Sequence, residues 1–184
     1  MRFRGVHHVE FAVLNYEESI PFYDKMFGWL GYASFWTLGV EYLSTYYMAR
    51  LPFFHSYIGI QPAQTGEQID WKTQPTGINH IALWARSKKE VTRFYEEFLV
   101  NEHVRVTHSP AAYPQYAPGY YAVFFLDPCG IRWELAYTPR IPTPWDIWQT
   151  LKTVKALRQE HPEWQRHPLA LMWRKLPARS KRVS

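Results

Sequence analysis

Two histidines, His8 and His80, occupy equivalent positions in an internal repeat, and Glu134 lies near the end of the second copy. When the sequence is shifted by 72 positions, residues 7–27 align with residues 79–99, and aromatic, apolar and acidic residues fall in matching places. A hydrophobic core explains the repeated apolar residues, but it does not require an imidazole at the same place twice. Two imidazoles and a carboxylate make a facial triad of metal ligands, which leaves coordination positions open for a substrate or for oxygen.

The alternation of apolar and polar residues predicts which face of each sheet carries these side chains. His8, His80 and Glu134 take the polar phase of their predicted strands, opposite the residues expected to pack. A carboxylate such as Glu134 is costly within a sheet unless it has a partner. We therefore predict that the three side chains converge if the two sheets curve around one cleft, and that His7 faces the apolar side instead.

Each copy of the repeat is predicted to be a β-α-β-β-β module, which gives an α+β fold. The first copy has a predicted helix at 16–28 and strands at 5–14, 32–37, 41–49 and 54–61. The second copy has a predicted helix at 87–101 and strands at 78–85, 103–108, 120–126 and 131–137. Asn15 and Ser87 are suitable N-caps, because a glutamate follows each of them three residues later. The proline-rich segment 109–119 is either a lid over the site or a packed crossover.

The chain divides into a domain that contains the repeat, residues 1–139, and a C-terminal extension, residues 140–184. The predicted boundaries within the domain are module one 1–62, linker 63–76 and module two 77–139. Helical spacing over residues 145–161 predicts a helix that packs on a module or on a partner subunit. The apolar stripe of this helix consists of Trp145, Trp148, Leu151, Val154 and Leu157.

The net charge of +5 comes from the C-terminal tail alone, because residues 173–184 hold five basic residues and no acidic one. A nucleic-acid-binding face is therefore not predicted for the fold. The tail is expected to be solvated, or to contact RNA, a membrane or an acidic partner. The single cysteine, Cys129, excludes an intrachain disulfide, and no apolar run is long enough to span a bilayer. The expected location is the cytoplasm.

Three groups of residues resemble the vicinal oxygen chelate superfamily, which includes glyoxalase I, fosfomycin-resistance thiol transferases, extradiol dioxygenases and bleomycin-resistance proteins. "HHVEFAV" precedes "SIPFYDKMFG", and "GINHIALWA" precedes "VTRFYEEFL". "GYYAVFFLDPCGIRWELAYTP" combines an aromatic strand, a D-P-x-G turn and a strand with a glutamate. The resemblance covers residues 5–139. It implies paired modules that form a curved sheet around a metal cleft, with His8, His80 and Glu134 at the positions of family ligands.

The resemblance also implies a function and a cofactor. It points to one divalent ion, Fe, Mn, Ni or Zn, and to a small substrate with vicinal oxygen atoms. The reaction would be of the glyoxalase type, catalysed by a lyase, isomerase or transferase, or of the extradiol dioxygenase type. The alternative is a metal-free protein that binds a small molecule, like the bleomycin-resistance proteins. In this superfamily the cleft forms either within one chain or across a homodimer.

One family feature is missing from the sequence. Glyoxalase-like members have a fourth ligand, Glu or Gln, in the last strand of module one. The matching position here falls near Tyr57 or Ile58, and neither side chain is a metal ligand of this kind. His55 or Gln61 could replace it if the register of the strand differs.

Five other residues are candidates for the site. Glu10, Trp84 and Arg132 are predicted to contact the substrate. Arg132 could hold an anionic group of the substrate, or it could instead pair with a nearby acid of the protein. His108 and Tyr121 are the candidates for acid–base catalysis, as dioxygenase members of the family use a histidine or tyrosine near the metal.

Overall fold

The computed structural model describes residues 6–39, 43–49, 57–73 and 76–161. In these ranges the chain forms two four-stranded sheets with associated helices, so the predicted α+β class is confirmed. His55 and the basic tail, 173–184, lie outside the described residues. No helix within the described ranges is long and apolar enough to cross a membrane.

Module one forms a sheet with the strand order β1-β4-β3-β2. Its elements are β1 His8–Val13, α1 Tyr16–Trp29, β2 Tyr32–Gly39, β3 Leu43–Ala49 and β4 Tyr57–Pro62. β1 pairs with β4 in parallel, and the remaining pairs are antiparallel. The helix therefore serves as the crossover that a parallel pair requires.

Module two repeats this topology, with the strand order β5-β8-β7-β6 and a parallel β5–β8 pair. Its elements are β5 Ile81–Trp84, α2 Lys88–Phe94, a π-helical continuation Tyr95–Val100, β6 Val106–Ala112, β7 Tyr121–Leu126 and β8 Arg132–Tyr137. The prediction of a strand at 103–108 was wrong in its bounds. β6 begins later and continues through Pro110, which an edge strand tolerates because a proline there need not donate to a neighbour.

The two predicted helix caps behave differently. Ser87 caps α2, because its hydroxyl accepts a hydrogen bond from the Glu90 N–H at 3.1 Å. Asn15 occupies the N-cap position of α1, but its side chain makes no capping bond to the backbone. The amide of Asn15 donates to the Glu18 carboxylate at 3.1 Å instead. A cap residue followed by a glutamate three positions later therefore predicted where both helices begin, although only Ser87 accepts a hydrogen bond from a backbone N–H there.

One hydrophobic core spans both modules. Trp133 of β8 is fully buried, and its ring contacts Phe11 of β1 at 5.7 Å and Tyr23 and Phe27 of α1, each at 5.8 Å, between ring centroids. The inner faces of both sheets and the apolar sides of both helices contribute to this core. We call the opposite face of each sheet its outer face. The residues in the polar phase of the strands lie there, on the outer faces.

The linker is fixed against the turn between β7 and β8. The Ile69 N–H donates to the Cys129 carbonyl at 3.2 Å. Gly130 has a φ of +84°, and a β-carbon at this position would lie 2.2 Å from the Ile69 carbonyl oxygen. Only glycine therefore permits the close approach of the linker to this turn.

Helix α3, Pro144–Glu160, begins with a capping box between Thr143 and Asp146. Its stripe was predicted to pack as one face, and this prediction was only partly correct. Val154 is buried and Leu157 is half-buried, but Trp145, Trp148 and Leu151 are exposed. The helix is turned so that Thr150, with Val154, faces the protein, which leaves the tryptophan side of the stripe outward.

Asp127 in the turn before β8 gives the fold a pH dependence. Burial raises the pKa of Asp127 to about 6, although its carboxylate accepts hydrogen bonds from the Tyr23 hydroxyl and, at 2.6 Å, from the Ile131 N–H. The folded chain thus keeps the proton to a higher pH than the unfolded chain does. Stability is therefore lost as the pH rises from about 4 to about 6, by up to about 3 kcal/mol.

Asp127→Asn should remove this dependence. We expect the free energy of unfolding of the variant to rise relative to that of the wild type between pH 4 and pH 7, because only the wild type loses a favourable proton. Urea unfolding at both pH values measures the difference. A difference that stays constant with pH would show that Asp127 titrates alike in the folded and unfolded chains.

Candidate functional site

The outer face of module two brings His80 and Glu134 together. Nε2 of His80 lies 3.1 Å from Oε2 of Glu134. The Glu134 side chain is buried at 3% exposure, whereas that of His80 is 36% exposed. The parallel register pairs Ala82 with Glu134, so the carboxylate reaches back along the strands to the imidazole of His80, directly before β5. A buried carboxylate therefore faces a histidine that solvent can reach.

Hydrogen bonding fixes the tautomer of His80. Its Nδ1 lies 2.8 Å from Oδ1 of Asn79, and a carboxamide oxygen only accepts, so Nδ1 carries a hydrogen. Nε2 then faces the Glu134 oxygen with either a second proton or a shared cation between them. This is the arrangement in which an outer partner orients a ligating histidine toward a metal.

The donor set of this pair fits a divalent metal ion. An imidazole nitrogen and a carboxylate oxygen are ligands of Zn, Mn, Fe and Ni. Ligand atoms about 2.1 Å from an ion lie about 3 Å apart when they are adjacent on an octahedron. The 3.1 Å between Nε2 of His80 and Oε2 of Glu134 matches that spacing.

Tyr120 is a site residue that the sequence analysis missed. Its hydroxyl donates to Oε1 of Glu134 at 2.7 Å, and burial, followed by this bond to the carboxylate, raises the pKa of Tyr120. Tyr121, which was predicted as a catalytic candidate, packs against the shared core with Val123 and therefore points away from Glu134. The alternation of residues along β7 could have identified Tyr120, because this residue has the same parity as those β7 residues whose side chains lie beside Glu134.

Aromatic rings surround this carboxylate on the outer face. Phe124 pairs directly with Glu134 across the β7–β8 ladder. The ring of Tyr113 lies 5.4 Å from that of Phe124 and stacks at 5.6 Å on that of Tyr116, which contacts Tyr120 at 5.5 Å. These rings form a wall beside the His80–Glu134 pair. They explain how a strand residue on an outer face becomes buried.

Arg132 lies on the same outer face and is held by aromatic rings. Its guanidinium carbon is 4.8 Å from the centroid of Trp71 in the linker and 4.4 Å from that of Phe124. Nη2 lies 3.3 Å from Nδ1 of His108, and since a guanidinium only donates, Nδ1 is the acceptor. Across the described ranges Arg132 forms no ion pair with a carboxylate, and its Nε is buried without a hydrogen-bond partner.

His8 does not form a group with His80 and Glu134 of module two. It is exposed at the start of β1, and its Nδ1 lies 2.8 Å from Nδ1 of His7. Among the described residues, no group of three or more His, Cys, Asp or Glu side chains is placed to share a metal ion. Within one chain, the structure thus joins two of the three predicted ligands.

His7 is exposed, contrary to the prediction that it faces the apolar side. Its ring stacks on that of Tyr57 at 5.4 Å. The reason is that β1 begins at His8, so the alternation of the strand does not extend to His7.

The register of β4 corrects the position of the missing fourth ligand. Glu10 pairs with Gly59 in module one, as Ala82 pairs with Glu134 in module two, and Glu10 and Ala82 are equivalent in the repeat. The counterpart of Glu134 is therefore Gly59, not Tyr57 or Ile58 as predicted. Gly59 has no side chain that could bind a metal.

Two other candidates, Gln61 and Trp84, are not brought next to the histidines or the carboxylate that they were predicted to join. Gln61 pairs with Ala12, four residues along β4 from the partner of His8, which is roughly 13 Å along a strand. Trp84, at the end of β5, is 80% exposed and forms no wall around Glu134.

A groove of about 670 Å³ lies elsewhere, between the linker and the turn before β8. Its lining includes Lys72, His103, Arg105 and Asp127, but none of the predicted metal ligands. The groove is therefore separate from the candidate site.

The relative importance of the two neighbouring histidines can be tested. We expect His8→Ala to weaken metal binding strongly and His7→Ala to leave it nearly unchanged, because only His8 belongs to the outer face of β1. Titration with Mn(II) measures both affinities. Loss of binding with His7→Ala alone would place the first ligand one residue earlier and reverse the assigned faces at the start of the strand.

No protein-family model and no curated protein matches the sequence. Solved structures of other proteins, however, are similar to this chain. A protein of Bacillus halodurans assigned to the glyoxalases is 27% identical, with a TM-score of 0.56 over 72% of this chain and 95% of that chain. The fosfomycin resistance protein FosX from Listeria monocytogenes is 16% identical, with a TM-score of 0.52 over 76% of this chain and 97% of that chain.

A third similar structure is lactoylglutathione lyase from Agrobacterium tumefaciens. It is 17% identical, with a TM-score of 0.52 over 72% of this chain and 92% of that chain. A second structure of FosX contains Mn(II) and a sulfate ion. The similarity spans nearly the whole length of these proteins and establishes the fold of this chain.

Proposed function

We propose that this chain, which has the fold of the vicinal oxygen chelate superfamily, is a metal-dependent enzyme acting on a small anionic substrate with two adjacent oxygen atoms. The observation that carries the proposal is the contact between His80 and the buried carboxylate of Glu134. A metal-free binding protein has no need to bury a carboxylate beside an oriented imidazole, because that arrangement is costly without a cation.

We infer that His8 completes the site from a second copy of the chain. His8 and Glu134 both lie on outer faces, away from the core that the two modules share. Among the described residues of one chain they do not form a group, and a second copy of the chain can bring its His8 to His80 and Glu134. A homodimer with a two-fold axis supplies it twice, since each module-one face then meets a module-two face of the other copy.

The substrate-binding side of the proposal rests on Arg132 and the aromatic wall. Arg132 is a fixed cation without a carboxylate partner in the described part of the chain, so an anionic group of a substrate can pair with it. Phe124, Tyr113 and Tyr116 offer apolar surface for the body of the molecule. The alternative, in which Arg132 pairs with a nearby acid of the protein, has no support among the contacts of the described residues.

A bound divalent ion would polarise the substrate oxygens as a Lewis acid and stabilise negative charge that develops on them. The residues of the chain would prepare this chemistry. Tyr120 holds the Glu134 carboxylate through its hydroxyl, and Asn79 holds the ring of His80. Arg132 keeps Nδ1 of His108 as an acceptor, so that the Nε2–H of His108 can donate to the substrate.

The second candidate function is sequestration of an aromatic anion without turnover. The wall of four aromatic side chains beside Arg132 favours it, because such a wall binds a ligand whether or not a metal is present.

Turnover assays with defined metals separate the two functions. Oxygen consumption with catechols under Fe(II) would identify the dioxygenase branch. Turnover of a thiol–aldehyde adduct, or of an epoxide with a thiol, under Mn(II), Ni(II) or Zn(II) would identify the glyoxalase or thiol-transfer branch. We expect one of these activities, and its loss in Arg132→Ala through a raised KM. Tight ligand binding by the fully metallated protein with no turnover would establish the binding protein instead.

A further inference from the structure

Module one carries its own histidine and carboxylate on one outer face. His8 and Glu10 both belong to the outer phase of β1. In module two the corresponding pair is His80, directly before β5, and Glu134 on β8. The repeat thus presents an imidazole and a carboxylate in each copy, but the two carboxylates come from different strands.

The carboxylate of Glu10 lies where the missing side chain of Gly59 would begin. A β-carbon on Gly59 would be 3.0 Å from Cγ and 3.2 Å from Cδ of Glu10. Gly59 is the counterpart of Glu134 by strand register. The absence of a side chain on β4 is therefore what allows the β1 carboxylate to lie across β4 at this place.

Glu10 is held by hydroxyl groups, as Glu134 is. Ser44 and Tyr46 of β3 each donate to Oε1 of Glu10 at 2.9 Å. Tyr120 similarly donates to Oε1 of Glu134, whose Oε2 faces His80. No hydrogen bond or ion pair involves Oε2 of Glu10 in the ranges that the structure describes. Two donors thus fix Oε1 of Glu10, and Oε2 keeps its lone pairs for a cation.

We propose that Glu10 is the fourth metal ligand, a carboxylate that this chain supplies from β1 in place of one from β4. This inference rests on the proposed function, because it requires a metal held by His8, His80 and Glu134. It adds that each module contributes one imidazole and one carboxylate. The carboxylate of Glu10 then binds the ion directly, while Ser44 and Tyr46 act as positioning residues.

A relocation experiment tests the proposal. Glu10→Gln preserves shape and an acceptor for Ser44 and Tyr46 but removes the charge, and we expect Mn(II) affinity to fall at least tenfold. The double variant Glu10→Ala with Gly59→Glu returns a carboxylate to the same space from β4, where the ring edge of Tyr46, at 2.9 Å from the new β-carbon, has to shift. We expect this variant to recover most of the lost affinity. Mn(II) titration followed by electron paramagnetic resonance gives the affinity, and water-proton relaxation gives the number of coordinated waters.

Matched variants separate ligation from other effects. Glu10→Gln should add about one coordinated water to the bound Mn(II), whereas Ser44→Ala should not, because it removes only a positioning bond. Glu17→Gln, on the exposed first turn of α1, is the charge control and should behave as the wild type does. Unchanged affinity and hydration in Glu10→Gln, with His80→Ala still abolishing binding, would overturn this inference alone. A wild-type protein that binds no Mn(II) would overturn the proposed function with it.

Discussion

Mixing two inactive variants, His8→Ala and His80→Ala, is expected to restore metal binding. Each variant alone should lack a complete site, because it has lost one ligand from both sites of the dimer. In a mixed dimer, one site collects both substitutions and the other collects none. Random exchange of subunits makes half of the dimers mixed, so about a quarter of all sites should regain full affinity. The effect is large, since the starting value for each variant is close to zero.

The experiment requires exchange of subunits, which co-expression or mild unfolding and refolding of the mixture provides. A mixture of His80→Ala with Glu134→Ala is the matched control. Both of these substitutions lie in module two, so every mixed dimer keeps one defect in each site and nothing should be restored. Recovery in neither mixture, with the dimer and the exchange of its subunits demonstrated in solution, would contradict a site shared between two copies.

Replacing Glu134 by alanine is expected to reduce metal binding from one ion per site to almost none. The Glu134 side chain is 3% exposed and faces Nε2 of His80, so no solvent-exposed group can take its place. The loss should exceed the roughly 10–100-fold that removal of an outer partner of a metal ligand costs. Metal analysis after gel filtration measures it. Tyr120→Phe, which removes only the partner of the carboxylate, should fall within that smaller range.

Folding has to be separated from ligation in this test. Glu134→Ala also leaves the hydroxyl of Tyr120 without its acceptor, whereas Glu134→Gln keeps an oxygen for that bond. We expect Glu134→Gln to fold like the wild type and still to bind metal poorly, because a neutral amide is a weak ligand. Metal content equal to that of the wild type in a folded Glu134→Gln protein would remove Glu134 from the ligand set.

The fold could be predicted well from the sequence because both copies of the repeat show the same order of strands and helix. Hydrophobic alternation in β1, β5 and β8 located strands and their faces, and the faces placed His80 with Glu134. The spacing of glutamates located the starts of α1 and α2. These features are local, so a pattern within about ten residues is sufficient to reveal them.

Other parts of the site depend on contacts between distant elements. Tyr120 reaches Glu134 only because β7 pairs with β8, and alternation within one strand does not reveal that pairing. Tyr121, the residue predicted from the sequence, packs against the core one residue later. The stacking of Arg132 between Trp71 and Phe124 requires the linker to fold onto module two. The role of Gly59 follows only from the paired register of β1 and β4, which differs by one or two residues from the position predicted from the sequence.

A crystal structure of the protein grown with Mn(II), with anomalous scattering used to locate the ion, tests the proposed metal site. We expect a peak at about 2.2 Å from Nε2 of His80 and from Oε2 of Glu134, with the imidazole of His8 from a second copy completing the triad. A peak bound by other residues, or no peak at His80 and Glu134 in a protein saturated with Mn(II), would contradict the proposed site.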